Sequence, residues 1–254
     1  MKIAQNIFLE KKILIYGLGK SGISSFKFLK DLAQIYLFDD NLKINKSFNQ
    51  KFINLSELTK IKIDIIIISP GINISNCKLS KFLKKNNSKI FTDLDVFYSF
   101  YNNKSITVTG TNGKSTTAKI LHDVLLDQKK DVRLVGNIGN PVLNERKIKK
   151  ETIFVIEASS YQLDYSKIFT SKYAVILNIS PDHLERHKNL KSYVDAKFKL
   201  LKFQDQKSFA FVKKNDDLIN KNLILNKFKS KITKVNTSHN NHFLKKIKNN
   251  YFAT

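Results

Sequence analysis

Short apolar runs alternate with amphipathic stretches along most of the chain, and this alternation predicts strands and helices in turn. Lys12 to Tyr16 reads as a first strand, and Ser24 to Leu32 as the helix that follows it. Ile35 to Phe38 is a second strand ending at Asp39-Asp40. Ile63 to Ile68 is a third, ending at Ser69-Pro70-Gly71, and Lys89 to Phe91 is a candidate fourth. The rhythm restarts near Asp93. Strands are expected at Ser105 to Thr109, Thr152 to Ile156 and Tyr173 to Asn178, with weaker ones at Ser208 to Val212 and Lys231 to Val235. Tyr193 to Leu201 reads as a helix carrying Lys197. Such repetition implies an α/β fold with mostly parallel sheets and ligand loops at the carboxyl ends of the strands. No Pro/Gly/Ser-rich linker is visible, so a division into residues 1–92 and 93–254 rests on the restart of the pattern. The tail, His239 to Thr254, is polar and lysine-rich and offers no clear closing element.

Two of the expected strands run into glycine loops. The apolar run Ile106 to Val108 leads into Gly110-Thr111-Asn112-Gly113-Lys114-Ser115, and Ile120, Leu121, Val124 and Leu125 then recur with helical spacing. Strand, glycine loop and helix form a phosphate cradle: backbone N–H groups turn inward and the helix N-terminus adds positive potential. Lys114 would reach the outer phosphates of a nucleoside triphosphate, and the Ser115 hydroxyl would ligate magnesium. The loop is shorter than the common G-x-x-x-x-G-K-[ST] form, because position 108 is Val. The other loop, Gly17-Leu18-Gly19-Lys20-Ser21-Gly22, matches G-x-G-x-x-G, with Asp39 twenty positions after Gly19. On spacing alone it fits NAD with Asp39 on the ribose, a tight turn with no ligand, or another nucleotide in the same crevice.

Composition removes several alternatives. With 254 residues and 42% apolar content the chain builds one large or two ordinary domains. Its apolar runs are too short to span a membrane, and Met1 to Lys12 lacks the apolar block of a secretory signal. Cys77 is the single cysteine, so no intrachain disulfide forms and a cytoplasmic setting fits. The formal charge of +24 invites a nucleic-acid reading. Against it, only Arg133, Arg146 and Arg186 are arginines, and the lysines are spread along the whole chain. No nucleic-acid or membrane partner is expected.

Further chemistry gathers at strand ends. Glu157 closes the run Thr152 to Ile156 and is followed by Ala158-Ser159-Ser160-Tyr161-Gln162-Leu163. A carboxylate at a strand tip beside a phosphate loop is well placed to hold magnesium. Asn178-Ile179-Ser180-Pro181-Asp182-His183-Leu184-Glu185-Arg186-His187 follows another strand and brings histidines to the same edge.

Together these segments resemble the Mur ligases, ATP-dependent enzymes that build the peptide of bacterial peptidoglycan. Gly110 to Thr116 is similar to their short phosphate loop, and Glu157 to Leu163 looks like the branch that adds D-glutamate. Gly17 to Gly22, Ser69-Pro70-Gly71-Ile72, Gly136-Asn137-Ile138-Gly139 and Asp182-His183 extend the likeness, which runs from about Lys12 to about Val212. The resemblance implies a Rossmann-like N-terminal domain followed by a P-loop-type central domain incomplete at its C-terminus, with the family's C-terminal domain absent. It implies addition of D-glutamate to UDP-N-acetylmuramoyl-L-alanine through an acyl phosphate, at the expense of ATP, by a cytoplasmic monomer. Gly110, Thr111, Asn112, Gly113, Lys114, Ser115 and Thr116 would bind ATP. Lys20, Ser21, Asp39, Gly71, Ile72, Asn137 and His183 would contact the UDP-substrate. Ser115 and Glu157 would hold one magnesium ion, and His183 with Lys197, as its N-carbamate, a second. Lys114, His183 and Lys197 would be the catalytic residues. Asn41 stands where some relatives carry arginine, and Asp95 where glutamate is usual. Family members also continue beyond residue 254, and Asn241-His242-Phe243 does not match their H-N-x-x-N helix. This polypeptide alone is therefore expected to hold the UDP-substrate, to bind ATP poorly and not to turn over. Two rival readings are a non-catalytic nucleotide- or UDP-sugar-binding module, and an oxidoreductase using the first glycine loop.

Overall fold

The computed structural model describes residues 6–41 and 52–236. The polar tail from His239 and the segment Asn241-His242-Phe243 lie outside the described residues. Strands β1 (Lys12–Tyr16), β2 (Gln34–Phe38), β3 (Ile65–Ile68) and β4 (Ile90–Phe91) form one sheet in the order β2-β1-β3-β4. A second sheet holds β5 (Ser105–Thr109), β6 (Val132–Gly136), β7 (Ile153–Glu157), β8 (Tyr173–Ile176), β9 (Phe209–Lys213) and β10 (Lys231–Val235) in the order β10-β9-β8-β5-β7-β6. Every strand pair is parallel. The helices are α1 (Lys20–Leu29), α2 (Leu55–Leu58), α3 (Ser80–Lys85), α4 (Asp93–Phe100), α5 (Lys114–Asp127), α6 (Ser160–Tyr165), α7 (Leu184–His187), α8 (Leu190–Lys202) and α9 (Asp217–Leu225). The α/β class with parallel sheets is as the alternation predicts. Among the described residues no helix is long and apolar enough to cross a membrane.

The continuous apolar runs follow from burial on both faces of each sheet. Successive residues of a strand point to opposite faces, and the first sheet sorts them accordingly. Ile13, Ile15, Ile65 and Ile67 join one buried cluster, and Leu14, Tyr16, Ile66 and Ile68 join another. The first of these clusters continues into the second sheet through Phe154, Ile156, Ala174 and Ile176. Helix α4 lies in it: Phe97 meets Phe154 edge-on at 4.8 Å, and Phe100 meets Phe28 at 5.0 Å. On the far face of the second sheet, α5 covers Val108, Val132 and Val155 through Ala118.

Two local readings change. Helix α1 starts at Lys20, earlier than the expected Ser24, because the chain leaves β1 over only Gly17 to Gly19 before turning helical. A Cβ on Gly22 would stand 1.9 Å from the Gly17 carbonyl oxygen, so only glycine lets the helix start pass this close to the turn. Strand β6 was not anticipated. It is an edge strand whose pattern is broken by the half-buried Arg133, so it lacks a central strand's continuous apolar run.

Candidate functional site

Sheet order places the ligand loops. In the second sheet β5 lies between β7 and β8, so the loops after these three strands meet at one edge. The loop after β5 is held from the loop after β8. Thr111 N donates to Asn178 O at 2.9 Å, and Asn112 N to Asn178 Oδ1 at 2.9 Å. Asn178 Nδ2 returns a bond to Asn112 O at 3.0 Å. Thr111 Oγ1 lies 3.0 Å from the Tyr193 hydroxyl and accepts from Ser180 N at 3.0 Å. Gly113 precedes α5, which begins at Lys114, and the Lys114 ammonium donates to Thr111 O at 2.7 Å. A glycine loop braced in this way, ahead of a long helix, suits phosphate oxygens.

Glu157 ends β7 and is almost fully buried, at 1% exposure. Ser115 Oγ donates to its Oε2 at 2.8 Å and Asn137 Nδ2 to its Oε1 at 2.7 Å. Both partners are uncharged, and a buried carboxylate so placed attracts a cation. The neighbouring Gly136 has φ +108°, and a Cβ there would sit 2.3 Å from Glu157 O. Among the described residues no group of three or more His, Cys, Asp or Glu side chains could hold a metal on its own. One carboxylate and one hydroxyl instead fit a hard cation that takes its remaining ligands from phosphate oxygens and water.

Lys197, from α8, is also 1% exposed. Its amine donates to Gly110 O at 2.7 Å and lies 4.4 Å over the Tyr193 ring. Burial pulls its pKa down from 10.5 to about 7, and the Lys114 charge pushes the same way against Asp182. His183 adopts φ 52° at the start of α7, with its ring 5.0 Å from that of Tyr161 and its Nε2 3.4 Å from Asp182 Oδ2. Lys114, Asn137, His183 and Lys197 line one cavity of about 320 Å³, together with Gly71 and Tyr161.

In the first sheet β1 lies between β2 and β3, and the loops after them meet in the same way. Asp39 Oδ2 accepts from Leu18 N at 2.6 Å, and Ser69 Oγ donates to Gly17 O at 2.6 Å. Asp39 thus braces the first glycine loop as well as facing its cavity. Lys20, Ser21, Asp39, Gly71, Ile72 and Asn137 all line that cavity, of about 460 Å³. Gly71 and Asn137 border both cavities, so the two adjoin. Asn178, Tyr161 and Tyr193 had not been singled out as site residues. Only the position of Asn178 at the end of an expected strand hinted at its bracing part.

The chain is similar to known proteins along most of its length. Residues 108–254 match the family model described as the Mur ligase middle domain. The chain is 37% identical over 218 residues to the UDP-N-acetylmuramoylalanine--D-glutamate ligase of Rickettsia bellii, covering 83% of this chain and 48% of that protein. It is 35% identical over 228 residues to the enzyme of the same name from Caldicellulosiruptor saccharolyticus, covering 84% and 50%. The chain therefore spans about half the length of these curated relatives. Among solved structures, the UDP-N-acetylmuramate:L-alanyl-gamma-D-glutamyl-meso-diaminopimelate ligase from Neisseria meningitides superposes with a TM-score of 0.57 at 14% identity, over 88% of this chain and 77% of that one. The murein peptide ligase from Psychrobacter arcticus gives 0.52 at 13% identity, over 88% and 53%. At such identities these two likenesses speak for the fold. With the middle-domain model matched over more than half of its length, the chain belongs to the Mur ligase family.

Proposed function

We propose that this chain carries the UDP-substrate and nucleotide-phosphate sites of a ligase that joins D-glutamate to UDP-N-acetylmuramoyl-L-alanine at the expense of ATP, in peptidoglycan synthesis. The observation that supports this reading best is the pair of adjoining cavities, one lined by Lys20, Ser21, Asp39 and Ile72 and the other by Lys114, His183 and Lys197, with Gly71 and Asn137 between them. A long substrate would lie with its nucleotide end in the first and its reacting carboxylate in the second. The division near residue 92 would separate the unit that binds UDP from the unit that binds ATP. With ATP and a UDP-sugar as substrates, the setting would be the cytoplasm.

In this reading Lys114 and the amides of Gly110 to Thr116 hold the phosphates of ATP. Ser115 and Glu157 would hold one magnesium ion, and His183 with carbamylated Lys197 a second. Bound magnesium supplies charge neutralisation at the transferring phosphoryl group. Asn137 and His183 orient the alanyl carboxylate toward that group. The protein contributes mainly positioning and electrostatics, with no nucleophile of its own. The carbamate has a physical basis, since an amine with a pKa near 7 is largely neutral at mildly alkaline pH and free to add carbon dioxide.

Isothermal titration of the chain with UDP-N-acetylmuramoyl-L-alanine, Mg-ADP and NADH tests the reading. Binding of the UDP-substrate without NADH is expected. Binding of NADH in place of the UDP-substrate would return the first glycine loop to an oxidoreductase.

A further inference from the structure

Arg186 belongs to α7, on the edge of the second sheet, yet its guanidinium reaches the loop after β3 in the first. Nη2 donates to Pro70 O at 2.9 Å and to Ile72 O at 2.5 Å, and Nη1 lies 3.3 Å from Gly71 O. The same guanidinium stacks 4.6 Å from the Tyr161 ring centre and 5.4 Å from that of Tyr165. The Tyr165 hydroxyl in turn accepts from Ile74 N at 3.2 Å. Three consecutive carbonyls are thus gathered on one cation that also lies over two aromatic rings. A planar fork with a permanent charge makes this set of contacts, and a lysine ammonium does not.

The consequence lies on the other side of the turn. The described peptide bonds are all trans. In a trans peptide the N–H following a carbonyl points the opposite way. Fixing Pro70 O therefore fixes the direction of the Gly71 N–H, and Gly71 borders both cavities. Tyr161, which Arg186 covers, also packs against His183. One side chain therefore sets the substrate turn of the first sheet and the aromatic wall beside His183 of the second. Among the described residues its side-chain hydrogen bonds go to Pro70, Gly71 and Ile72 and not to the Gly110 to Thr116 loop.

We infer that Arg186 is a positioning residue for the UDP-bearing substrate: it holds the Pro70-Gly71-Ile72 turn and His183 in register across the two units without touching the substrate itself. This rests on the function proposed above. The test is titration of wild type, Arg186→Ala and Arg186→Lys with UDP-N-acetylmuramoyl-L-alanine and, separately, with Mg-ADP. Loss of charge-assisted bonds predicts UDP-substrate binding weakened roughly ten- to hundredfold in Arg186→Ala. Arg186→Lys should fall between that variant and wild type, with Mg-ADP affinity unchanged in both. Equal UDP-substrate affinity in wild type and Arg186→Ala overturns the inference and leaves the proposed function standing. Parallel loss of both ligands overturns it too, as a general structural role. If Arg186→Ala does not fold, wild-type affinity in Arg186→Lys overturns it. Failure of wild type itself to bind the UDP-substrate sinks the proposed function, and this inference with it.

Discussion

The Lys197 amine donates a 2.7 Å hydrogen bond to the carbonyl of Gly110, joining α8 to the first residue of the phosphate loop. An amine can make this bond in either protonation state. Burial disfavours the charged state and, with Lys114 close by, brings the pKa to about 7.

That depression makes stability depend on pH with a definite sign. Between about 7 and the ordinary 10.5 the folded amine is neutral while the unfolded one is charged, so the unfolded chain holds the extra proton. Stability should then rise with pH across that window, by at most about 1.4 kcal/mol per pH unit. Below pH 7 both states are charged and the contribution levels off at its least favourable value. Denaturant unfolding at pH 6.5, 8 and 9.5 should show the rise in wild type and a much flatter profile in Lys197→Met. In 13C-bicarbonate at pH 8.5, wild type should give a carbamate carbon signal that Lys197→Met lacks. An unmodified Lys197 amine in a crystal grown at high bicarbonate would count against that modification.

Glu157→Gln preserves size and can still accept from Ser115 while losing the charge that draws a cation. The variant should melt within a few degrees of wild type. Its nucleotide binding should lose the magnesium-dependent part, a weakening of about tenfold or more in ADP affinity that vanishes when both proteins are compared in EDTA. A magnesium effect equal to that of wild type would remove Glu157 from the metal site.

Gly22→Ala probes packing at the other loop. The added Cβ meets the Gly17 carbonyl at 1.9 Å, and that oxygen already accepts from Ser69 Oγ. The turn has to open, at a cost of about 2–4 kcal/mol. Thermal unfolding should show it as a large drop in Tm, accompanied by weaker UDP-substrate binding. An unchanged Tm would mean that the helix start shifts freely.

How much of this was legible in the chain follows from burial. Central strands such as β1 and β3 are buried on both faces and read directly as apolar runs. Edge strand β6 did not, because it is only partly buried and the charged Arg133 within it pairs with Asp131 and Glu145. Glycine loops and the strand-end Glu157 were visible because each needs a particular residue type at a particular place. Residues that act through geometry between distant segments left no such trace. Asn178 meets the phosphate loop from 66 positions away and Arg186 meets the Pro70 turn from 116, so spacing in the sequence says nothing about either.

Asp95 shows the same limit in a residue that was noticed only as a departure from glutamate. It is fully buried on α4 and joins that helix to the segment after α6. Its Oδ1 accepts from Ser166 Oγ at 2.7 Å and from the amides of Lys167, Ile168 and Phe169 at 3.0, 2.9 and 2.9 Å. Its Oδ2 accepts from Thr92 N at 2.9 Å. Only an acceptor at both oxygens satisfies this set. Asp95→Ala strands several buried donors at once and should cost about 3–5 kcal/mol. Asp95→Asn keeps one carbonyl oxygen for the Ser166 to Phe169 segment but turns an N–H₂ toward the Thr92 N–H, and should cost about 1–3 kcal/mol. Urea unfolding of the three proteins ranks them. If Asn and Ala prove equally mild, the amides after α6 find other acceptors, and Asp95 does not hold the two segments together.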